Sequence, residues 1–272
     1  MPSKNETLRQ TLGEDYLKHR VFSDIERYAE FYEALSMSTF SFSTVGTTAL
    51  CNIDTYVFSS LQNTLDSISD VLAKGRVNDA YYLLRKYYDA SVINIYTNVY
   101  LKNECTLENF LVAKINNWLR GQENLPSYRE MMNYLKSDAN LDPMNKLLFQ
   151  KGSKRYSDLR QRCNDHAHYN FYQSLLLNDG HVRVNTRRKW LDALAVDLKD
   201  ILVLHLSYLF YVNDHYMGSS DYVDTIEMGI TPDEGSQYWV APFVQKVFTE
   251  VLQAERPDIA RLLQDNTCMQ LK

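Results

Sequence analysis

Glycine and proline are scarce in this chain of 272 residues, at 9 and 6. These residues punctuate strands and tight turns, so their scarcity argues for few, long elements and against a many-stranded sandwich. The cysteines, Cys51, Cys105, Cys163 and Cys268, form no CxxC pair, which removes zinc-ribbon and thioredoxin-like chemistry. An even cysteine count alone does not imply disulfides in a chain this long, and a reducing cytoplasm is expected. Positive charge is also short: the net charge is −5. Generic nucleic-acid binding needs Lys and Arg to neutralise phosphates, so only a local basic patch stays open. There is no GxSxG elbow, Walker loop or dinucleotide glycine pattern, and no cofactor is expected. The N-terminal MPSKNETLRQTLGEDYLK has no apolar core of a secretory signal. The most apolar run, ILVLHLSYLFYV from Ile201, is broken by His205 and preceded by Asp197, Lys199 and Asp200. It is too short and too charged nearby to span a membrane, and reads as a buried core helix.

What is present is helical period. Val57, Leu61, Leu65, Ile68 and Leu72 recur at helical spacing. Gly75 offers a stop, and Asn78 a cap for a second long helix over about 79–101. The two predict an antiparallel hairpin around KGRVN. Thr106 is expected to cap a helix running to Trp118. Ser127 and Glu130 have capping-box spacing, and Asp142-Pro143 marks another start. A helix from Tyr156 to about Leu176 follows, then a turn at Asn178-Asp179-Gly180, a short alternating HVRVN, and a long helix from Thr186 to about Tyr216. Short helical pieces are expected near Tyr222–Met228 and over the tail. The expected fold is all-α, an antiparallel helical bundle with extra N- and C-terminal helices. Its segments are 1–50, 51–217 and 218–272. Tyrosine is abundant, at 20 residues; it serves either a Tyr-rich core or helix and subunit interfaces.

The polar residues concentrate in YSDLRQRCNDHAHYNFYQSLLLN, from Tyr156 to Asn178. On one helix, at about 100° per residue, Tyr156, Leu159, Cys163, Ala167 and Phe171 form the core stripe. Arg160, Asn164 and His168 follow one edge, and Arg162 and His166 the other. Edge positions are partly desolvated yet reach water, which is where an imidazole can be tuned for proton transfer. His166 and His168 lie about 200° apart and cannot share a metal from a helix, so no metal site is expected. Arg85 and Asp89 read as an i,i+4 salt bridge. The basic run Arg183, Arg187, Arg188 and Lys189 opens a helix and reads as a solvated face within reach of RNA phosphates.

An Arg separated from a His by a few residues, late in a helical bundle, resembles the HEPN superfamily. Its signature is Arg, four to six residues, then His. Here Arg162-Cys-Asn-Asp-His-Ala-His168 fits, as does the spacing from Arg160 to His166. VLAKGRVNDAYYLLRKYYDASVINIY is similar to the paired first helices of abortive-infection-type relatives. The resemblance covers about 50–217. It implies a metal-independent endoribonuclease, a homodimer in which His and Arg from two subunits meet on RNA, in phage defence or a toxin system. His168 would be the acid–base group, Arg162 the phosphate clamp and Asn164 a positioning donor. Cys163 stands where the family often has a polar residue, which leaves the clamp open between Arg160 and Arg162. Two other readings stand beside this one: a non-catalytic module of the same kind binding a nucleotide, RNA or protein, and a structural helical protein whose tyrosine-rich faces assemble into oligomers and in which these side chains only join helices.

Overall fold

The structure, a computed structural model, describes residues 11–49, 51–179, 184–231, 233 and 239–272, with 184 and 185 as backbone only. The described residues are mainly helical and hold no strand, only an isolated bridge between Gly218 and Val240. The chain is all-α, as its glycine- and proline-poor composition predicts. In order the helices are α1 (Glu14–Leu17), α2 (Arg20–Ser38), α3 (Ile53–Ala73), α4 (Val77–Glu104), α5 (Ala113–Leu119), α6 (Tyr128–Ser137) and α7 (Asp142–Leu148). They continue as α8 (Arg155–Ala167), α9 (Tyr172–Leu176), α10 (Val184–Val212), α11 (Ser220–Glu227), α12 (Pro242–Val247), a π-helical turn (Phe248–Gln253) and α13 (Pro257–Asn266). No helix among the described residues is long and apolar enough to cross a membrane.

The chain packs as two compact units built from interleaved segments. The first comprises Met1–Tyr32, Ser59–Ala90 and Ser153–Leu202. Its core takes Leu61, Leu65, Ile68 and Leu72 from α3, Tyr81, Leu84 and Tyr88 from α4, Leu159 and Cys163 from α8, and Leu191, Leu194 and Leu198 from α10. Each set recurs every three or four residues, the spacing that lines one face of a helix. Tyr16, Tyr28, Tyr32, Tyr81, Tyr87 and Tyr88 are all buried, so in this unit tyrosine is core material. Tyr16 donates its hydroxyl to the Leu72 carbonyl at 2.9 Å, and the Tyr32 and Tyr87 hydroxyls meet at 3.1 Å. The turn of the α3–α4 hairpin needs Gly75: its φ is +73°, and a Cβ there would stand 2.9 Å from a Leu12 methyl.

The second unit comprises Glu33–Phe58, Ser91–Gly152 and Val203–Lys272. The capping box at α6 forms as expected: Ser127 accepts from the Glu130 N–H, and the Glu130 carboxylate accepts from the Ser127 N–H at 2.8 Å. Asp142-Pro143 opens α7. Arg256, at the break before α13, donates to the Leu147 carbonyl at 2.8 Å.

Several boundaries differ from expectation, each for a local reason. Thr106 does not cap a helix; its hydroxyl accepts from the Asn109 N–H in a turn, and α5 begins only after Val112, at φ 31°. Asn78 lies inside α4, and its side chain reaches a histidine of α8 instead of capping. The long helix starts at Val184, before Thr186, and ends at Val212, with Asp214–Met217 tightening into a 3₁₀ turn. Of HVRVN only the backbone of 184 and 185 is described, and it belongs to α10; Gly180 lies outside the described residues. The expected Tyr156–Leu176 helix is two helices, and that correction bears directly on the site.

Candidate functional site

α8 is an amphipathic helix whose apolar stripe, Tyr156, Leu159 and Cys163, is buried. Its polar residues flank that stripe and are gripped from both sides. On one edge the Arg160 guanidinium pairs with Asp89 of α4, and Asn164 accepts from Arg85 of α4. Arg85 also lies 3.6 Å from Asp89. Arg160 and Asn164 are i,i+4 along α8, and Arg85 and Asp89 are i,i+4 along α4. An antiparallel arrangement matches them in register. The Arg85–Asp89 pair expected within one helix is thus half of a four-residue interhelical cluster.

The other edge faces α10. Arg162 binds Asp197 bidentately, with Nε at 3.0 Å from the carboxylate, and Arg155 binds Asp200 likewise, with Nε at 2.6 Å. Both carboxylates are buried. Bidentate geometry of this kind is the strongest ion pairing a carboxylate finds in a protein. Burial pushes the Asp197 carboxyl up and Arg162 opposes it, while the hydrogen bonds to Asp197 raise the Arg162 guanidinium further. We take the pair as ionised, because both charges meet in a planar fork with one partner open to solvent. The Arg162 side chain is 39% exposed against 18% for Arg160. A guanidinium carries more N–H donors than the two this contact uses, so Arg162 keeps donors on its outer edge.

His166 is buried, and its Nδ1 lies 2.8 Å from the Asn78 side-chain oxygen. Its ring stacks on Tyr81 at 4.1 Å and meets Trp190 edge-on at 4.9 Å. Burial pulls its pKa down to about 4, so it is neutral at physiological pH and serves packing. The sequence pairing of Arg160 with His166 therefore brings together two residues that face different neighbours.

His168 is placed differently from expectation. α8 stops at Ala167, and His168 is its C-cap, exposed to solvent. Tyr169 follows at φ 49°, a left-handed conformation that ends the helix. Asn170 bonds back to Asp165 through its N–H at 3.0 Å and its side chain at 2.7 Å. Phe171 is consequently not on the core stripe but 60% exposed. The structure thus joins Arg160 to Asn164 through Arg85 and Asp89, sets Arg162 on the opposite edge, and leaves His168 at the open end of the helix. Of the basic run, Arg187 is buried, donating to the Gly75 carbonyl at 3.0 Å. There it neutralises the C-terminal end of α3. Arg188 and Lys189 are exposed, and Arg183 lies outside the described residues.

The partners Asp197, Asp200 and Asn78 lie outside the polar stretch, and local spacing does not join them to it. Asp197 and Asp200 did carry a signal: carboxylates leading into a strongly apolar run are rarely buried without a cation to meet them. Among the described residues no group of three His, Cys, Asp or Glu is arranged to hold a metal ion.

The second unit has its own polar concentration. Asp54 is buried and accepts from Asn94 at 2.7 Å, Asn98 at 2.9 Å and the Tyr216 hydroxyl at 2.8 Å. His205 bonds Asn94 at 2.8 Å. Burial pushes Asp54 up to about 6 and pulls His205 down to about 3. A cavity of about 480 Å³ opens beside this network, bounded by Asn52, Asp54, Asn98, Lys102, Asn213 and His215 among others.

No family model, curated protein or solved structure matches this chain.

Proposed function

We propose that the first unit acts on RNA as a HEPN-type, metal-independent endoribonuclease working as a homodimer, in phage defence or a toxin system. The observation that supports this reading is that one helix presents both an exposed imidazole at its end and an incompletely used guanidinium on its edge. His168 is exposed at the end of α8, and Arg162 keeps outward donors while Asp197 fixes its fork. The two residues are about 9 Å apart along the helix axis, so one copy's His168 and the other's Arg162 would share a phosphodiester. His168 would move a proton at the ribose 2′-hydroxyl or the leaving oxygen. Arg162 would answer the charge that develops on the phosphate. The greater exposure of Arg162 favours it over Arg160, which is turned toward Asp89. In this reading Asn164 and Arg160 are positioning residues that hold α8 against α4.

Single-stranded RNA incubated with the full chain in EDTA is expected to be cut, leaving cyclic phosphate ends. Arg162→Lys retains a charge for Asp197 but loses the fork, and is expected to slow cutting by about 100-fold. A second reading, a non-catalytic RNA-binding module, is favoured by the engagement of Arg160, Asn164 and His166 with neighbouring helices. Binding without cleavage in the same assay would select it.

A further inference from the structure

The segment that follows α8 carries a feature that proton transfer does not use. Tyr169, Phe171 and Tyr172 are 43%, 60% and 73% exposed. Among the described residues none of these rings packs against another ring. Exposed aromatic side chains clustered in one short segment are apolar surface that a bound partner can cover. The backbone presents them deliberately. Tyr169 accepts a left-handed φ of 49° that few side chains adopt. The segment is pinned at both ends: Asn170 to Asp165 at 2.7 Å, and Asn178 to Asp79 at 2.5 Å. Buried Ser174 and Leu177 seat α9 between these anchors, so the rings are held in place before any ligand arrives.

The charge around them selects the occupant. From His168 to Asn178 there is no Asp or Glu. Trp190 packs on His166 at 4.9 Å, which sets the start of α10 against the end of α8. Exposed Arg188 and Lys189 immediately precede Trp190. Exposed rings on the segment after α8 and exposed cations on the helix that packs against α8 suit an unpaired nucleic-acid strand, whose bases stack while its phosphates take the charge. We infer that Tyr169, Phe171 and Tyr172 form a stacking platform for single-stranded RNA, with Arg188 and Lys189 tracking its backbone. This rests on the RNA-directed reading of the first unit and adds to it a binding site for the unpaired strand.

The test is equilibrium binding of a labelled single-stranded RNA oligonucleotide and of the same sequence as a duplex, in EDTA. The full chain carries His168→Ala to block cutting, and sedimentation is measured at the same concentrations. Phe171→Leu with Tyr172→Leu keeps apolar area and removes both π-faces. Single-strand binding should weaken roughly 5- to 100-fold for each ring lost, with sedimentation unchanged. Arg188→Gln with Lys189→Gln should weaken binding and flatten its salt dependence. Tyr56→Ala, an exposed ring in the second unit, should bind like the parent. Unchanged single-strand binding by the leucine variant would overturn the platform and leave the RNA reading standing. Preference for the duplex, or an altered sedimentation of the leucine variant with RNA affinity intact, would also overturn it, the latter in favour of a second copy. A parent that binds no RNA would overturn both.

Discussion

Asp197 and Asp54 are both buried carboxylates, one in each unit, and they are met by different chemistry. Asp197 is held by a guanidinium whose far side reaches water. Asp54 is held by two amides and a phenol. A cation at the edge satisfies the carboxylate and still has donors to offer outward. Neutral donors satisfy it only by turning inward, and burial then dominates, holding Asp54 at about 6. The contrast teaches where chemistry has room: the first unit keeps reactive groups on its shoulder, and the second spends its polar groups on one another.

The sharpest way to break this contrast is to remove the cation. Arg162→Ala leaves Asp197 buried without its cation, and should lower stability by about 3–5 kcal/mol in urea unfolding. Replacing both partners with leucine should recover most of that loss. If Arg162→Ala cost no more than an ordinary surface change, the pair would not be holding α8.

Acid is the next probe. Folded His166 refuses a proton until about pH 4, whereas the unfolded side chain takes one near its ordinary value of about 6.5. Stability is therefore intact above pH 6.5 and falls as pH drops toward 4, by about 3 kcal/mol for this group. His205, held down to about 3, pulls the same way. Asp54 works oppositely: it keeps its proton to about pH 6 when folded, so its contribution declines as pH rises from about 4 to 6. Replacing His166 with Gln should remove its share of the slope, read from unfolding midpoints across that range. An unchanged slope would mean His166 is not the buried neutral group described. A smaller effect is expected from Asp54→Ala, about 2 kcal/mol, as the Asn94, Asn98 and Tyr216 donors lose their acceptor. His168→Ala should have the least effect on stability, within about 0.5 kcal/mol, because the side chain is exposed.

The sequence carried the helical class and most long elements, because Leu61, Leu65, Ile68 and Leu72 repeat with a period that only a helix satisfies. Ser127 and Glu130 fixed the start of α6 because their cap is local. The end of α8 was not legible. No Gly or Pro marks it; the stop is made by Tyr169 in an unusual conformation and by Asn170 folding back on Asp165. A helix continued past Ala167 would put Phe171 in the core and His168 on a helix edge, whereas the stop leaves both exposed. The residues of the polar stretch were visible, but their partners were not. Asp197 and Asp200 lie 35 and 45 positions from the arginines they bind, a distance that no local pattern spans. Burial of His166 and exposure of His168 likewise depend on Trp190 and Tyr81, which only the packing of α4 and α10 brings to one and not the other.

The exposed imidazole at the end of α8 is the group on which the proposed chemistry turns. Its direct test is the single-turnover rate of RNA cleavage in EDTA by the native chain and by His168→Ala, at matched unfolding midpoints. The expected result is measurable native cleavage and a loss of about 100-fold or more in the variant. Equal rates, or a native chain that leaves RNA intact, would contradict it.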